Sequence, residues 1–160
     1  MIRQAKEQDT GIVHDIVCKT MERAYSSCYA PEVIDYFRDY HSMDNICNDI
    51  SNGDTYIIEV DGKCVGTGSH HGNYISRVFI HPDFQGYGYG TEIMEYLEKL
   101  ILDEHESVFL HSSITGYQFY LDHGYSEKET INAPVADDAV FRYTIMEKNK
   151  HDYYKLNFNE

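Results

Sequence analysis

The chain has 160 residues, with 13 Lys and Arg against 27 Asp and Glu, which gives a formal net charge of −14. This length suits a single domain with its own hydrophobic core. So acidic a chain is not expected to gain affinity from nucleic-acid phosphates, which excludes a nucleic-acid partner. Its apolar runs are far shorter than the roughly 20 residues of a membrane span, and MIRQAKEQDT lacks the apolar stretch of a secretory signal. We therefore expect a cytoplasmic protein that does not act in a membrane.

Hydrophobic periodicity predicts alternating strands and helices. The predicted strands cover 2–5, 56–60, 63–69, 74–80, 107–111 and 139–146. The predicted helices cover 9–21, 31–40, 42–50, 93–101 and 114–123. The order βα(α)βββαβαβ predicts an α/β fold with one mixed sheet and helices on its faces.

Three local features sharpen this outline. Asp61-Gly62 between two strands is the strongest short hairpin signal. The stripe from Ile93 to Ile101 predicts an amphipathic helix, with Glu98 among the acidic residues facing water. No Gly/Ser-rich or Pro-rich linker divides the chain, so we expect one domain over 1–147 and a polar C-terminal tail over 148–160.

The most informative segment is VFIHPDFQGYGYGTEI at 78–93. A buried strand stops at a proline, and a glycine-rich turn then leads into a helix. Glycines allow close approach of the backbone to a ligand, and the first turn of a helix favours negative charge. The segment therefore predicts an anion site. Ile93 stands where a dinucleotide-binding fingerprint needs its third glycine, and Thr91 is not preceded by the lysine of a Walker A loop.

The loop contains a Gln-x-x-Gly-x-Gly pattern (Gln85–Gly90) shortly after Ile80-His81-Pro82. Further along, Phe119-Tyr120 is followed by Gly124-Tyr125. Together these motifs resemble the GCN5-related N-acetyltransferase (GNAT) superfamily, and the predicted element order fits its fold up to about residue 147. The resemblance implies a central, mostly antiparallel mixed sheet, acetyl-CoA as co-substrate and an amine as acetyl acceptor.

The resemblance also implies roles for particular residues. It gives Tyr120 the role of general acid, with a ring that only packs in the core as the alternative. It implies contacts of the strand backbone with the pantetheine arm, where a free N–H aimed at the thioester oxygen would stabilise developing charge. The implied cofactor-binding residues are Val78, Phe79, Ile80, Gln85, Gly86, Tyr87, Gly88, Tyr89, Gly90, Thr91, Ser113 and Phe119.

The second motif departs from the usual family pattern at three positions. Ser113 and Gly116 stand where an Asn and an Ala are usual, and Tyr125 replaces a Phe. Ser113 keeps a shorter polar group for the cofactor.

The strand before the glycine loop offers no carboxylate as general base, because 73–80 (NYISRVFI) contains no Asp or Glu. His70 and His71 at the end of the preceding strand have a suitable intrinsic pKa. By alternation His71 shares a face with Val65 and Thr67, and we take it as the candidate; a base supplied by water is the alternative. Adjacent strand residues point apart, so we expect no metal site.

Two functions remain open: an N-acetyltransferase, and a module that binds acyl-CoA without turnover. The predicted helices at 31–50 carry Glu32, Asp35, Asp39, Asp44 and Asp49 beside aromatic residues. This favours a cationic acceptor, such as a polyamine, an aminoglycoside or a basic peptide, although a solvated helix face is an equal alternative. The variable regions near 25–50 and 126–138 are expected to set the acceptor, and oligomeric state, including a homodimer, stays open.

Overall fold

The computed structural model describes residues 1–158, which form a seven-stranded sheet flanked by helices. The strands are β1 (Ile2–Gln4), β2 (Thr55–Val60), β3 (Lys63–His71), β4 (Tyr74–Ile80), β5 (Ser107–Ser112), β6 (Ser126–Ala136) and β7 (Ala139–Asn149). The helices are α1 (Thr10–Tyr25), α2 (Pro31–Tyr40), α3 (Met43–Ser51), α4 (Tyr89–Glu104), α5 (Tyr117–Asp122) and α6 (Lys150–Phe158). The predicted α/β class and mixed sheet are confirmed.

The strand order is β1-β2-β3-β4-β5-β7-β6. Neighbouring strands are antiparallel except for β4 and β5, which run parallel. The predicted hairpin joins β2 to β3 through Asp61 and Gly62, whose φ angles of 50° and 76° are those of a tight turn with both central residues left-handed.

The parallel pair β4/β5 separates soon after it forms. Only Tyr74 and Ile75 of β4 pair with β5. On the other side of β4, Ser69 pairs with Arg77 and His70 with Ile75, so Ser76 is the extra residue of a bulge. Within the described chain, the rest of β4 has no strand partner on its β5 side, and a gap opens there.

The sheet is buried on both faces. Ile80 belongs to the cluster under α4, with Ile93, Met94 and Leu97, whereas its neighbour Phe79 belongs to the cluster under α1 and α2. Burial of aliphatic and aromatic side chains of this size stabilises a fold by roughly 1.5–3 kcal/mol for each side chain. Packing on both faces therefore fixes β4 in place.

The structure differs from the prediction in two segments. Strand β6 occupies most of 126–138, a variable region in which no strand was predicted, and pairs along β7 as an edge strand with many exposed residues. The segment expected as a polar tail completes β7 and forms α6, and Tyr153 is buried in the α4 cluster. Residues 159–160 of that expected tail lie outside the described residues.

Glu98 is also buried rather than facing water. Its Oε2 accepts a hydrogen bond from Lys148 Nζ at 2.9 Å, and both side chains are almost fully enclosed. The opposite charge of Lys148 offsets part of the cost of burying this carboxylate. Among the described helices, none combines the length and the apolar character needed to cross a bilayer.

Candidate active site

Two adjoining cavities lie where β4 and β5 separate. The first, which we call the glycine-loop cavity, has a volume of about 320 Å³ and extends from β4 to the start of α4. The second, which we call the aromatic cavity, has a volume of about 370 Å³ and lies between α2, β4, β5 and β7. The two cavities share lining residues, which are Tyr25, Val78, Phe79, Ser113 and Tyr120. A molecule in one cavity would therefore meet a molecule in the other at these residues.

The glycine loop opens the start of α4 to a ligand. Gly86 and Gly88 have φ angles of 83° and 87°, which side-chain-bearing residues rarely adopt, and nothing lies within 4 Å of where a Cβ would be. Gly88 is the N-cap of α4, and no side chain of the described residues caps it. The first N–H groups of this 16-residue helix therefore remain available, with the positive end of the helix dipole, to an anion.

Gly90 and Gly116 serve a different purpose, because each lies against a ring. A Cβ on Gly90 would lie 3.3 Å from Phe119 Cζ, and a Cβ on Gly116 would lie 3.0 Å from Tyr120 Cε2. Gly116 is one of the positions that departs from the family pattern. Its lack of a side chain makes room for the Tyr120 ring at the meeting point of the cavities.

Most of the predicted cofactor-binding residues line the glycine-loop cavity: Val78, Phe79, Ile80, Gln85, Gly86, Tyr89, Gly90, Ser113 and Phe119. Tyr87, Gly88 and Thr91 do not. Tyr87 is 73% exposed, and the hydroxyl of Thr91 lies 2.9 Å from His123 Nε2. Gln85 donates a side-chain hydrogen bond to the carbonyl oxygen of Ile80 at 3.0 Å, which ties the loop to the end of β4.

Tyr120 lines both cavities and is half-buried. Burial raises the pKa of its hydroxyl above the ordinary value of 10.0. The hydroxyl therefore stays protonated at neutral pH, which suits a proton donor. The loop that precedes α5 is held by Tyr29, whose hydroxyl oxygen accepts from the N–H of Ile114 at 2.9 Å.

His71 lies away from both cavities. Its Nδ1 is 3.1 Å from Asp54 Oδ2 and its Nε2 is 3.4 Å from Asp49 Oδ1. Alternation along β3 holds, because the extra residue of the bulge, Ser76, lies on β4. His71 is the last residue of β3, and no residue of β3 lines either cavity. The structure therefore does not bring His71 together with Tyr120.

Two other histidines line the aromatic cavity, and neither was predicted from the sequence. His111 on β5 stacks on Tyr143, with ring centroids 4.7 Å apart, and lies beside Tyr74 at 5.0 Å. Desolvation lowers the pKa of His111 from its ordinary 6.5, so the ring is neutral at pH 7. His41, at the end of α2, accepts a hydrogen bond from Arg77. Because these residues come from separate elements, no local motif could have indicated them.

The walls of the aromatic cavity are mostly rings. Apart from the histidines they are Tyr25, Tyr36, Phe37, Tyr40, Tyr74, Phe79, Tyr120, Phe141 and Tyr143. Within residues 1–158, no Asp or Glu lines this cavity. Of the acidic residues on α2 and α3, Asp49 is bound to Arg77 and Asp35 to Arg38. No group of three or more His, Cys, Asp or Glu in the described part of the chain is placed to hold a metal ion.

Solved structures with the same fold come from several microorganisms. A GCN5-related N-acetyltransferase from Rhodopseudomonas palustris aligns with a TM-score of 0.84 and 22% identity, covering 93% of this chain and 94% of that chain. The PaiA N-acetyltransferase from Thermoplasma acidophilum has a TM-score of 0.75 and 20% identity, covering 93% and 98%. Ard1 from Thermoplasma volcanium has a TM-score of 0.65 and 18% identity, covering 93% and 96%. At these identities the similarity establishes the fold alone.

The sequence itself identifies the family. Comparison with curated proteins finds no match. The family model described as acetyltransferase (GNAT) domain, however, matches residues 25–150, which is most of the chain. The chain therefore belongs to the GNAT family of acetyltransferases, enzymes whose acetyl donor is acetyl-CoA.

Proposed function

We propose that this enzyme transfers the acetyl group of acetyl-CoA to a primary amine of a small molecule or peptide by direct attack of the amine on the thioester. The observation that carries the proposal is the meeting of the two cavities at Tyr120, Ser113, Val78 and Phe79. One cavity ends at an uncapped helix start, and the other shares with it only these residues and Tyr25. Two substrates bound in this way would react where the cavities join.

The glycine-loop cavity fits acetyl-CoA. The left-handed glycines and the uncapped start of α4 suit the pyrophosphate, and the unpaired side of β4 offers backbone groups to the extended pantetheine arm. The PaiA N-acetyltransferase structure, which shares this fold, contains coenzyme A.

We assign proton donation to the leaving thiol to Tyr120. A thiol has a pKa of about 8.5 and an unperturbed tyrosine about 10, so complete transfer to the thiolate is unfavourable by about 2 kcal/mol. Burial raises the pKa of Tyr120 further. The proton must therefore move in concert with cleavage of the carbon–sulfur bond, or the hydroxyl acts as a hydrogen-bond donor to the sulfur.

We assign deprotonation of the incoming amine to His111 instead of His71. His111 lines the aromatic cavity and is neutral at pH 7, so it has a nitrogen lone pair available to accept a proton. Its stacking on Tyr143 holds the ring in place. His71 is occupied by two carboxylates outside the cavity.

We propose that the acceptor carries a single ammonium group on a flat or apolar body. Ring faces attract cations and also pack well against apolar groups. In the described chain, no carboxylate lines the cavity wall. The cavity therefore offers no acidic side chain to pair with the several positive charges of a polycationic acceptor. The long-range attraction of a cation comes from the net charge of −14.

Thiol release from acetyl-CoA, measured across a panel of primary amines, tests the proposal. The panel should include aromatic amines, aliphatic amines, amino-acid amides, polyamines and short peptides. Binding of acetyl-CoA is measured in parallel from the thermal shift of the protein. We expect binding together with amine-dependent release. Binding without release for every amine would indicate the alternative, a non-catalytic acyl-CoA-binding module, and absence of binding would contradict both functions.

A further inference from the structure

A buried arginine stands behind the wall of the aromatic cavity. The Arg77 side chain is 2% exposed, and its guanidinium donates to Asp49 Oδ2 at 2.7 Å, to Ser69 Oγ at 3.3 Å and to His41 Nδ1 at 3.1 Å. A guanidinium is always charged in proteins and only donates hydrogen bonds. Nδ1 of His41 must therefore be unprotonated, because it accepts.

The hydrogen bond from Arg77 determines which ring nitrogen of His41 carries its proton. Desolvation and the charge of Arg77 lower the pKa of His41 to about 3, so the ring is neutral at pH 7. A neutral imidazole whose Nδ1 accepts has its proton on Nε2. Phe37, Tyr40 and Phe79 surround the ring and hold its orientation.

The Nε2–H group of His41 has no acceptor within hydrogen-bond distance among residues 1–158. In the same described region, the fully enclosed side-chain nitrogen and oxygen atoms without a partner are Ser76 Oγ, Glu98 Oε1 and Tyr125 OH. His41 Nε2 is not one of them, although the residue is only 4% exposed. The N–H therefore keeps some accessible surface, and the aromatic cavity is a space that His41 lines.

We infer that His41 is a specificity-determining residue whose Nε2–H binds a neutral oxygen of the acetyl acceptor in the aromatic cavity, with Arg77 as its positioning residue. The inference rests on the proposed function and deepens it, because it narrows the acceptor to amines that also carry a carbonyl or hydroxyl oxygen. A neutral oxygen suits the site better than a carboxylate, since Asp49 already neutralises Arg77 and the chain has a net charge of −14. An acceptor without such an oxygen would leave the Nε2–H of His41 without a hydrogen-bond partner and shielded from water, which weakens binding of that acceptor.

Matched amines test the inference in the wild-type protein. Phenethylamine supplies the aromatic body alone, whereas phenylalanine amide, phenylalaninol and tyramine add a carbonyl beside the amine, a hydroxyl beside it or a hydroxyl at the far end of the ring. We expect kcat/KM for at least one oxygen-bearing amine to exceed that for phenethylamine about tenfold, and the best of the three identifies the kind of oxygen. Equal kcat/KM values for all four amines would overturn this inference but leave the proposed acetyl transfer intact. Absence of release with all four would overturn it together with acetylation of this class of amine.

Two variants separate recognition from folding. His41→Phe keeps a flat ring without a donor, and we expect it to reduce the ratio of kcat/KM for the oxygen-bearing amine to that for phenethylamine to about one. His41→Gln has an amide that can accept from Arg77 and donate to the cavity, so it should restore most of the preference. Retention of the full preference in His41→Phe would overturn the inference.

The tautomer provides a readout independent of activity. A long-range ¹H–¹⁵N NMR spectrum of the wild-type protein at pH 7 should show His41 protonated at Nε2 only, with His41→Gln used to assign the signals. Addition of the preferred amine should shift the Nε2–H proton, and phenethylamine should shift it less. A His41 protonated at Nδ1 would overturn the inference.

Discussion

Tyr120 lines both cavities, and replacing it with Phe removes only the hydroxyl. We expect Tyr120→Phe to lower kcat about 10- to 1000-fold with little change in the KM for acetyl-CoA, because the hydroxyl acts in the transition state. Tyr117→Phe is the matched control, since Tyr117 is on the same helix but donates to Glu127 outside both cavities. Steady-state kinetics of the two variants provide the measurement. An unchanged kcat in Tyr120→Phe would leave the ring with a packing role only.

His111 should control the acidic limb of the pH profile. Its pKa is lowered from 6.5 by desolvation, and a base works only when it is unprotonated. The wild-type kcat/KM is therefore expected to fall with decreasing pH at values below 6.5. His111→Gln should lower the rate about 100-fold and remove this limb.

The control for this prediction is His71→Ala, which removes the other candidate base. Since His71 lies outside both cavities, its loss should leave the rate and the profile nearly unchanged. If His71→Ala flattened the acidic limb and His111→Gln did not, the two assignments would be reversed.

At the scale of single elements, the shape of the glycine loop depends on a left-handed backbone conformation that glycine adopts readily. Gly88 has a φ of 87° and open space where a Cβ would lie, and Gly72 in the β3–β4 turn has a φ of 55° with equally open space. Alanine at either position should destabilise the fold by about 1–2 kcal/mol, because left-handed backbone is strained for a residue with a Cβ. Only Gly88→Ala should also weaken acetyl-CoA binding, by about tenfold, since only this strain distorts the start of α4.

Isothermal titration of acetyl-CoA and urea unfolding of both variants provide the comparison. Equal affinities of Gly88→Ala and Gly72→Ala for acetyl-CoA would place the pyrophosphate away from this loop.

Elements whose signal is local were predictable from the sequence. The β2–β3 hairpin follows from Asp61-Gly62, and the apolar stripe of α4 is buried as its period indicated. Strand β6 was missed because it is a polar edge strand, stabilised by pairing with β7 rather than by an apolar face of its own. The end of β7 was missed for a related reason. A lysine such as Lys148 is expected at the surface, and its burial depends on Glu98, which is 50 positions away in the sequence.

The candidate site likewise contains some residues that a local sequence motif indicates and others that only the fold brings together. The glycine loop and Tyr120 lie in short motifs, so the sequence alone indicated them. The aromatic cavity combines α2, β4, β5 and β7, and neither His41 nor His111 has a distinctive neighbour in sequence. The chemistry of His41 depends on Arg77, which is 36 positions away and reaches it from β4.

At the scale of the whole molecule, His41 makes stability depend on pH. An unfolded histidine takes up a proton near pH 6.5, whereas His41 in the folded protein stays neutral until about pH 3. Between these values the unfolded state binds more protons, so the free energy of unfolding falls as the pH falls. The contribution of His41 is about 2 kcal/mol between pH 7 and pH 5.

Urea unfolding at both pH values, for the wild type and His41→Phe, measures this contribution. The variant should lose less stability between pH 7 and pH 5 than the wild type. Asp9 and Glu59, whose pKa values are lowered by Arg3, contribute in the same direction only at lower pH. Identical losses in the two proteins would show that His41 is not held neutral.

The net charge of −14 should give the two substrates opposite responses to salt. Acetyl-CoA brings negative phosphates to a negative protein, whereas the proposed acceptor brings a positive charge. Within the described residues, neither cavity is lined by Asp, Glu, Lys or Arg. The repulsion of acetyl-CoA and the attraction of the amine therefore both act over long distances, and salt screens both of them. The screening length shortens from about 30 Å at 0.01 M salt to about 8 Å at 0.15 M.

Raising sodium chloride over this range should therefore lower the KM for acetyl-CoA and raise the KM for the amine, each by a few-fold. Glycine betaine at matched osmolarity serves as the control, because it carries no net charge and should move neither KM in this way. Shifts of the same sign for both substrates would contradict a cationic acceptor, because the field that repels the phosphates must attract an ammonium ion.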